Sequence, residues 1–136
     1  MNIEPSTSGR RPLRALVVDD DEFMLSFLSD MLRDLGVGDV RTARDGSAGS
    51  KACEDAKSLP DVVLCDINMP GTDGFQFMEQ IAKRKFGGGV ILISGLDSRF
   101  VNSASLMAKF HGLNILASIP KPVDRKSLSA ALSKLG

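Results

Sequence analysis

Residues 64–75 read LCDINMPGTDGF and continue an apolar run that starts after Asp61. The run ends on Asp66, and a carboxylate at the end of a buried strand is costly unless another group pairs with its charge. Pro70 and the Gly71-Thr72-Asp73-Gly74 stretch have turn chemistry, which is expected to hold a loop in one shape beside Asp66. The rest of the chain must therefore supply partners for this carboxylate.

Apolar stretches of strand type alternate with stretches of helical periodicity along the chain. Strands are predicted at 13–19, 39–43, 61–66, 90–94 and 114–119, and helices at 22–35, 46–58, 73–85, 97–111 and 124–135. This alternation is typical of an α/β fold in which helices cover both faces of a parallel sheet. The uniformly apolar strands agree, because parallel strands are buried on both sides. Asp21 is placed to cap the first helix, and Gly36 is placed to end it.

The composition of the 136 residues indicates one globular domain, with 43% hydrophobic and 25% charged residues. Residues 1–12 are predicted to form a disordered tail before a domain at 13–136. The 17 basic and 17 acidic residues cancel, so no charge excess favours nucleic acid or an anionic membrane as a partner. No apolar stretch approaches the roughly 20 residues that span a bilayer, and no signal core is seen, so a cytoplasmic location is predicted. The two cysteines lack CxxC spacing, which argues against a zinc site or a disulfide framework.

Polar or charged residues stand at the carboxyl ends of four predicted strands. They are Asp19-Asp20-Asp21 after the first strand, Asp66 at the end of the third, Ser94-Gly95 at the end of the fourth and Lys121 after the fifth. In an open parallel α/β sheet these ends share one edge, and ligands bind there. The sequence therefore predicts a functional site at this edge.

The residue types at this edge suit phosphoryl transfer. Converging carboxylates repel each other, and Mg²⁺, a hard cation that prefers oxygen ligands, would remove that repulsion. A carboxylate can attack phosphorus to form an acyl phosphate. The transferred group then needs a cation and a hydroxyl around it, and Lys121 and Ser94 fit these two roles. Gly95 would let the backbone and the phosphoryl group come close.

The motifs LVVDDDE, DVVLCDINMPGTDGF, VILISG and IPKPV occur in this order, and with them the chain resembles a response-regulator receiver domain of the CheY-like type. The resemblance covers residues 13–136. It implies the strand order 2-1-3-4-5 and a cis peptide at Lys121-Pro122. The roles it implies are phosphoacceptor for Asp66, Mg²⁺ ligands for Asp19, Asp20, Asp66 and the main-chain carbonyl of Asn68, switch hydroxyl for Ser94 and phosphoryl contact for Lys121.

The resemblance also implies a function in bacterial two-component signalling. Asp66 would take a phosphoryl group from a sensor histidine kinase or phosphotransfer protein in a Mg²⁺-dependent reaction. The change would then switch a surface formed by the last two helices and the last strand. Such a domain is regulatory and catalyses its own phosphotransfer and dephosphorylation, but it turns over no separate substrate. Its downstream partner would be an effector domain or protein, and residues 91–123 resemble receivers joined to cyclic-di-GMP phosphodiesterase domains.

The chain departs from the resemblance at two positions, and several alternatives stay open. Many receivers carry an aromatic residue where Ser118 stands, and Pro120 before the lysine is unusual. A haloacid-dehalogenase-type phosphatase would use Asp19 as nucleophile and Asp21 as acid/base, but it leaves Asp66 unexplained. A pseudo-receiver would bind a protein partner without phosphorylation. Homodimer formation, and whether the chain acts alone or within a longer protein, are not decided by the sequence.

Overall fold

The computed structural model describes residues 12–55, 57–67, 74–95 and 112–135. In chain order the elements are β1 (Arg14–Val18), α1 (Glu22–Asp34), β2 (Asp39–Ala43), α2 (Gly46–Ala52), β3 (Val62–Asp66), α3 (Gly74–Lys83), β4 (Gly89–Ser94), β5 (Asn114–Pro120) and α4 (Arg125–Leu132). The strands form one parallel sheet in the order β2-β1-β3-β4-β5. The predicted fold class and strand order are confirmed.

Two apolar clusters fill the space between the sheet and its helices. Leu28 of α1 and Leu128 of α4 pack with Leu64 of β3 in one cluster. Phe77 of α3 packs with Cys65 of β3 in the other. Neighbouring residues of one strand thus enter different clusters, because successive side chains of a strand point to opposite faces. This explains why the middle positions of the central strands are apolar without alternation.

The helix α2 ends six residues before the predicted limit, at Ala52. Asp55 forms a local turn in its place, since its side chain accepts hydrogen bonds from the N–H of Lys57 at 2.9 Å and the hydroxyl of Ser58 at 3.1 Å. Such local bonds compete with the helix. The predicted helix at 97–111 and the predicted tail up to residue 11 lie outside the described residues. No helix in the described ranges has the length and apolar character needed to cross a membrane.

Caps fix the helix that follows β1. The Asp21 carboxylate accepts a hydrogen bond from the N–H of Phe23 at 2.9 Å, which makes Asp21 the predicted N-cap of α1. Gly36 has a φ of 96°, which suits glycine at the end of a helix. Both predictions are confirmed. Because the cap begins two residues after Asp19, the start of α1 lies beside the carboxyl end of the sheet.

The edge strand β5 contains one extra residue against β4. Ile115 is aligned with Val90, but Ala117 is aligned with Ile91, so the register shifts at Leu116. The Leu116 carbonyl accepts a hydrogen bond from Nζ of Lys134 at 2.9 Å. Leu116 and Ala117 both pack against the cluster under α1 and α4, whereas Ile115 packs against the other cluster. This bulge interrupts the alternation of the strand.

Candidate functional site

Three carboxylates meet at the carboxyl ends of β1 and β3. These strands are neighbours, with Val18 aligned to Cys65, so the residues that follow them are brought together. Asp19, Asp20 and Asp66 each place a carboxylate oxygen within 4.8 Å of the others. Asp19 is 1% exposed and Asp66 is 3% exposed, whereas Asp20 is exposed. The fold thus gathers three predicted site residues, two of them away from bulk water.

Lys121 supplies a positive charge to this acidic cluster. Its Nζ lies 3.3 Å from Oδ2 of Asp66 and 3.9 Å from Oδ2 of Asp19. The lysine follows β5, and its backbone N–H donates a hydrogen bond to the carbonyl of Ser94 at 2.8 Å. The Lys121-Pro122 peptide is cis. Two of the three carboxylates, Asp19 and Asp66, therefore lie within 3.9 Å of this lysine.

Ser94 ends β4 and is buried. It is aligned with Pro120 of β5, while Asp66 is aligned with Ile93. Ser94 is therefore close along the sheet edge to both Asp66 and Lys121, as the sequence pattern predicts.

Gly95 follows Ser94 and is exposed. A Cβ on Gly95 would meet, among the described residues, the Cδ of Lys121 at 3.8 Å, which is an ordinary contact. The described packing thus does not require glycine at this position. The close approach of a phosphoryl group to Gly95 stays a prediction.

The electrostatics of Asp19 reflect burial without full pairing. Burial raises the pKa of the Asp19 carboxyl to about 6 from its usual 3.8, and the neighbouring Asp66 carboxylate adds to the rise. The N–H of Asp21, which donates to Oδ1 at 2.9 Å, and the charge of Lys121 lower this pKa. Oδ2 of Asp19 accepts no hydrogen bond within the described structure. A buried oxygen of this kind is suited to a cation ligand, because buried polar atoms normally have a partner.

Other residues singled out in the sequence lie elsewhere or outside the described ranges. Asn68 and the loop through residue 73 are outside them. Asp21 caps α1, and Ser118 is exposed on β5. The sequence predicts only a turn at Gly74, but the structure places Gly74 against the main chain of Asp66. The Asp73-Gly74 pair signals a turn, and no sequence pattern signals this contact.

A comparison with known protein families identifies the family of this chain. The family model of the response regulator receiver domain matches residues 15–133. The chain belongs to this family. Receiver domains are regulatory modules of two-component signalling. The predicted family is therefore confirmed, and the matched range covers the acidic cluster and all of the sheet except Arg14.

Solved receiver structures have the same fold as this chain. A response regulator from Colwellia psychrerythraea is 28% identical, with a TM-score of 0.77 over 92% of this chain and 97% of that one. The complex of CheX and CheY with BeF₃ and Mg²⁺ from Borrelia burgdorferi contains a match that is 27% identical, with a TM-score of 0.76 over 89% of this chain and 87% of that one.

Similar curated proteins include longer enzymes. A protein-glutamate methylesterase/protein-glutamine glutaminase from Oleidesulfovibrio alaskensis is 36% identical over 117 residues, which are 85% of this chain and 30% of that protein. A relative of the same name from Natronomonas pharaonis is matched over 18% of its length. The chain thus spans less than a third of these two relatives, and the similarity concerns the receiver portion.

Proposed function

We propose that this receiver accepts a phosphoryl group on Asp66 from a sensor histidine kinase or a phosphotransfer protein. The observation that carries the proposal is the buried Asp66 carboxylate, which lies 3.3 Å from Lys121 inside an acidic cluster at the carboxyl end of β3. A carboxylate so placed can act as a nucleophile toward phosphorus. Membership of the receiver family supports the same role.

The acidic cluster fits Mg²⁺ as the cofactor. It offers carboxylate oxygens within 4.8 Å of one another and a buried Asp19 oxygen that accepts no hydrogen bond from the described residues, and hard cations prefer such ligands. Asp19, Asp20 and Asp66 would hold the ion, and the family resemblance adds the main-chain carbonyl of Asn68. When bound, Mg²⁺ would offset the negative charge of the carboxylates and of the phosphoryl oxygens. The Borrelia CheX–CheY complex, which contains Mg²⁺, supports this choice.

Asp66, Lys121 and Ser94 would have different roles in phosphoryl transfer. A carboxylate oxygen of Asp66 forms a bond to phosphorus while the bond from phosphorus to the donor breaks, and the donor keeps that electron pair. Lys121 and the hydroxyl of Ser94 would stabilise the phosphoryl oxygens. Because the N–H of Lys121 donates to the carbonyl of Ser94, these two residues are mechanically linked. A shift of one is expected to move the other, which connects the chemistry to the ends of β4 and β5.

The output of the switch would be a change in the population of two conformations of the signalling surface. Ser118 is exposed and small, so the aromatic rearrangement of many receivers cannot operate at this position. We therefore propose that a different element on this side of the domain contacts the effector domain or protein. The receiver would turn over no substrate other than its own phosphoryl group.

Intact mass measurement after incubation with acetyl phosphate and Mg²⁺ tests the proposal. Wild type is expected to gain one phosphoryl group, and Asp66→Asn or added chelator should prevent the gain. Asp61→Asn is the matched control, because Asp61 lies at the opposite end of the same strand, just before β3. This variant should still be phosphorylated. A gain that survives in Asp66→Asn but is lost in Asp19→Asn would favour the phosphatase alternative. No gain from acetyl phosphate or from a phosphorylated phosphotransfer domain would favour the pseudo-receiver.

A further inference from the structure

The first residue of α3 lies unusually close to the phosphoacceptor's main chain. A Cβ on Gly74 would lie 2.7 Å from Cα of Ile67, 3.0 Å from the carbonyl oxygen of Asp66 and 3.3 Å from Cβ of Ile67. We infer that Gly74 is a positioning residue for Asp66, because its lack of a side chain lets α3 begin directly against the end of β3. This inference rests on the proposed role of Asp66.

The atoms that Gly74 approaches cannot move aside cheaply. Two of them belong to the main chain, so no rotamer change relieves the contact. The N–H of Ile67 donates a hydrogen bond to the carbonyl of Ile93 at 3.1 Å, and the Ile67 side chain is buried. Asp66 itself is part of the ladder with β4. Any side chain at Gly74 would therefore push against a main chain that the sheet holds in place.

The helix is equally restricted. Phe77 and Ile81 of α3 are fully buried in the apolar cluster that also contains Ile67. A retreat of α3 from the strand would open this packing. Strain from a side chain at Gly74 would consequently be shared between α3 and the Asp66–Ile67 main chain. Even a displacement of several tenths of an ångström would change the placement of Asp66 against Lys121, and phosphoryl transfer depends on such placement.

The requirement at Gly74 is for space and not for an unusual backbone conformation. Among the described glycines, positive φ angles occur at Gly36 and Gly112. Gly74 is a helical residue outside that group, so alanine can adopt its dihedral angles. A Gly74→Ala variant thus introduces the steric contact alone.

Two other glycines serve as controls, one for tight main-chain packing and one for the alanine substitution itself. A Cβ on Gly88 would lie 2.6 Å from the carbonyl oxygen of Asp61, which is an equally severe main-chain contact. Asp61 is five residues before Asp66 along an extended strand, about 16 Å away. A Cβ on Gly87 would meet no atom within 4 Å among the described residues. Gly88 is therefore tightly packed and far from Asp66, whereas Gly87 is loosely packed.

The test compares Gly74→Ala, Gly88→Ala and Gly87→Ala in the full chain. Each variant is assayed for melting temperature, for Mg²⁺ affinity and for the phosphorylation rate at saturating Mg²⁺ and acetyl phosphate, normalised to folded protein. Gly74→Ala should lower the saturated rate by about tenfold. Gly88→Ala should lose comparable thermal stability yet keep its rate within about twofold, and Gly87→Ala should keep both. An unchanged rate in Gly74→Ala, or equal slowing in Gly88→Ala, would overturn the inference.

Two further measurements keep the result decisive. If Gly74→Ala is too unstable, sucrose, which favours the compact state, is added to all variants. Amide chemical shifts of the metal-free protein give a readout that needs no reaction. Those of Asp19, Asp66 and Lys121 should change in Gly74→Ala and not in Gly88→Ala, and the absence of this difference would also contradict the inference. If wild type takes up no phosphoryl group, the proposed function fails, while the shifts still test the positioning.

Discussion

The charged residues at the two ends of the sheet differ in how fully they are paired. At the amino end, the N–H of Arg14 donates to Oδ2 of Asp61 at 2.8 Å, and the Arg14 side chain donates to the carbonyl of Lys57 at 3.0 Å. The same guanidinium lies 3.9 Å from the carboxylate of Asp39. The Asp61 carbonyl accepts a hydrogen bond from Gly89 at 2.9 Å. These groups are satisfied by one another.

At the carboxyl end, the described residues leave negative charge in excess. Asp19 and Asp66 lie beside Lys121, Asp20 adds a third carboxylate, and one oxygen of Asp19 accepts no hydrogen bond within the described ranges. The same sheet thus combines an end whose charged groups are paired with one another and an end that keeps an excess of negative charge. Local violations of polar satisfaction of this kind are expected at functional sites.

The largest expected effect is that of removing the positive charge at the carboxyl end. Lys121→Met should lower the rate of phosphorylation by acetyl phosphate about 100-fold, because a preorganised cation no longer faces the phosphoryl oxygens. Lys134→Met is the control, since Nζ of Lys134 donates to the carbonyl of Leu116 and not to the acidic cluster. Equal rates in wild type and Lys121→Met, measured by intact mass over time, would contradict this role.

The next effect concerns the pH dependence of stability. Because burial raises the pKa of Asp19 to about 6, the metal-free folded state binds a proton there more tightly than the unfolded chain does. The stabilisation this gives is complete below about pH 4 and is lost as the pH rises to about 6. Asp19→Asn should therefore be more stable than wild type at pH 7 by about 1 to 3 kcal/mol, and nearly equal to it at pH 4. Urea unfolding with chelator present measures both values.

Mg²⁺ should reverse the order of stability of wild type and Asp19→Asn at pH 7. Added Mg²⁺ is expected to stabilise wild type at pH 7 and to have much less effect on Asp19→Asn, because a ligand that binds the folded state raises its stability. A metal-free Asp19→Asn that is less stable than wild type at pH 7 would show that Asp19 is satisfied by the fold. The two ends of the sheet would then not differ as described.

A smaller effect on stability is expected at the amino end of the sheet, where the charged groups are paired. Asp61→Ala removes the acceptor of the Arg14 N–H and should cost about 1 kcal/mol at pH 7, because a partly buried donor is left without its partner. The loss should be the same with and without Mg²⁺, in contrast to substitutions in the acidic cluster. A clear dependence of this loss on Mg²⁺ would mean that the two ends are coupled.

The smallest effect is expected at a satisfied carboxylate near the carboxyl end. Asp124 caps α4 by accepting a hydrogen bond from the N–H of Ser127, and this bond lowers the pKa of Asp124. Its contribution to stability is therefore present at neutral pH and is lost as the pH falls through the lowered pKa. Asp124→Ala should show a small drop in melting temperature at pH 7 that disappears in acid, with normal phosphorylation. Slower phosphorylation would indicate that a carboxylate affects function by lying near the carboxyl end of the sheet, even when it is fully hydrogen-bonded.

Much of the fold followed from local patterns in the sequence. The strand at 39–43 and the cap at Asp21 were predicted correctly, because strand composition and capping chemistry act within a few residues. The early end of α2 was missed, since the turn at Asp55 competes with the helical pattern. Convergence of polar residues at one sheet edge also followed from the sequence, because parallel strands end together.

The details of the site depend on contacts through space. The lack of a hydrogen bond to Oδ2 of Asp19 and the approach of Gly74 to Asp66 arise from how separate elements pack. A sequence pattern records spacing along the chain, and it carries no information on such distances. The strand order itself came from the family resemblance and not from the residues alone.

The bulge at Leu116 divides β5 into two segments that can vary independently in evolution. The segment before it sets the packing of Ile115, and the segment after it sets the position of Ser118 and Lys121. An exchange of side chains in the first segment leaves the register of the second unchanged, because the extra residue absorbs the offset. Natural variants of this receiver are therefore expected to diversify Ser118 and its surroundings without altering the acidic cluster.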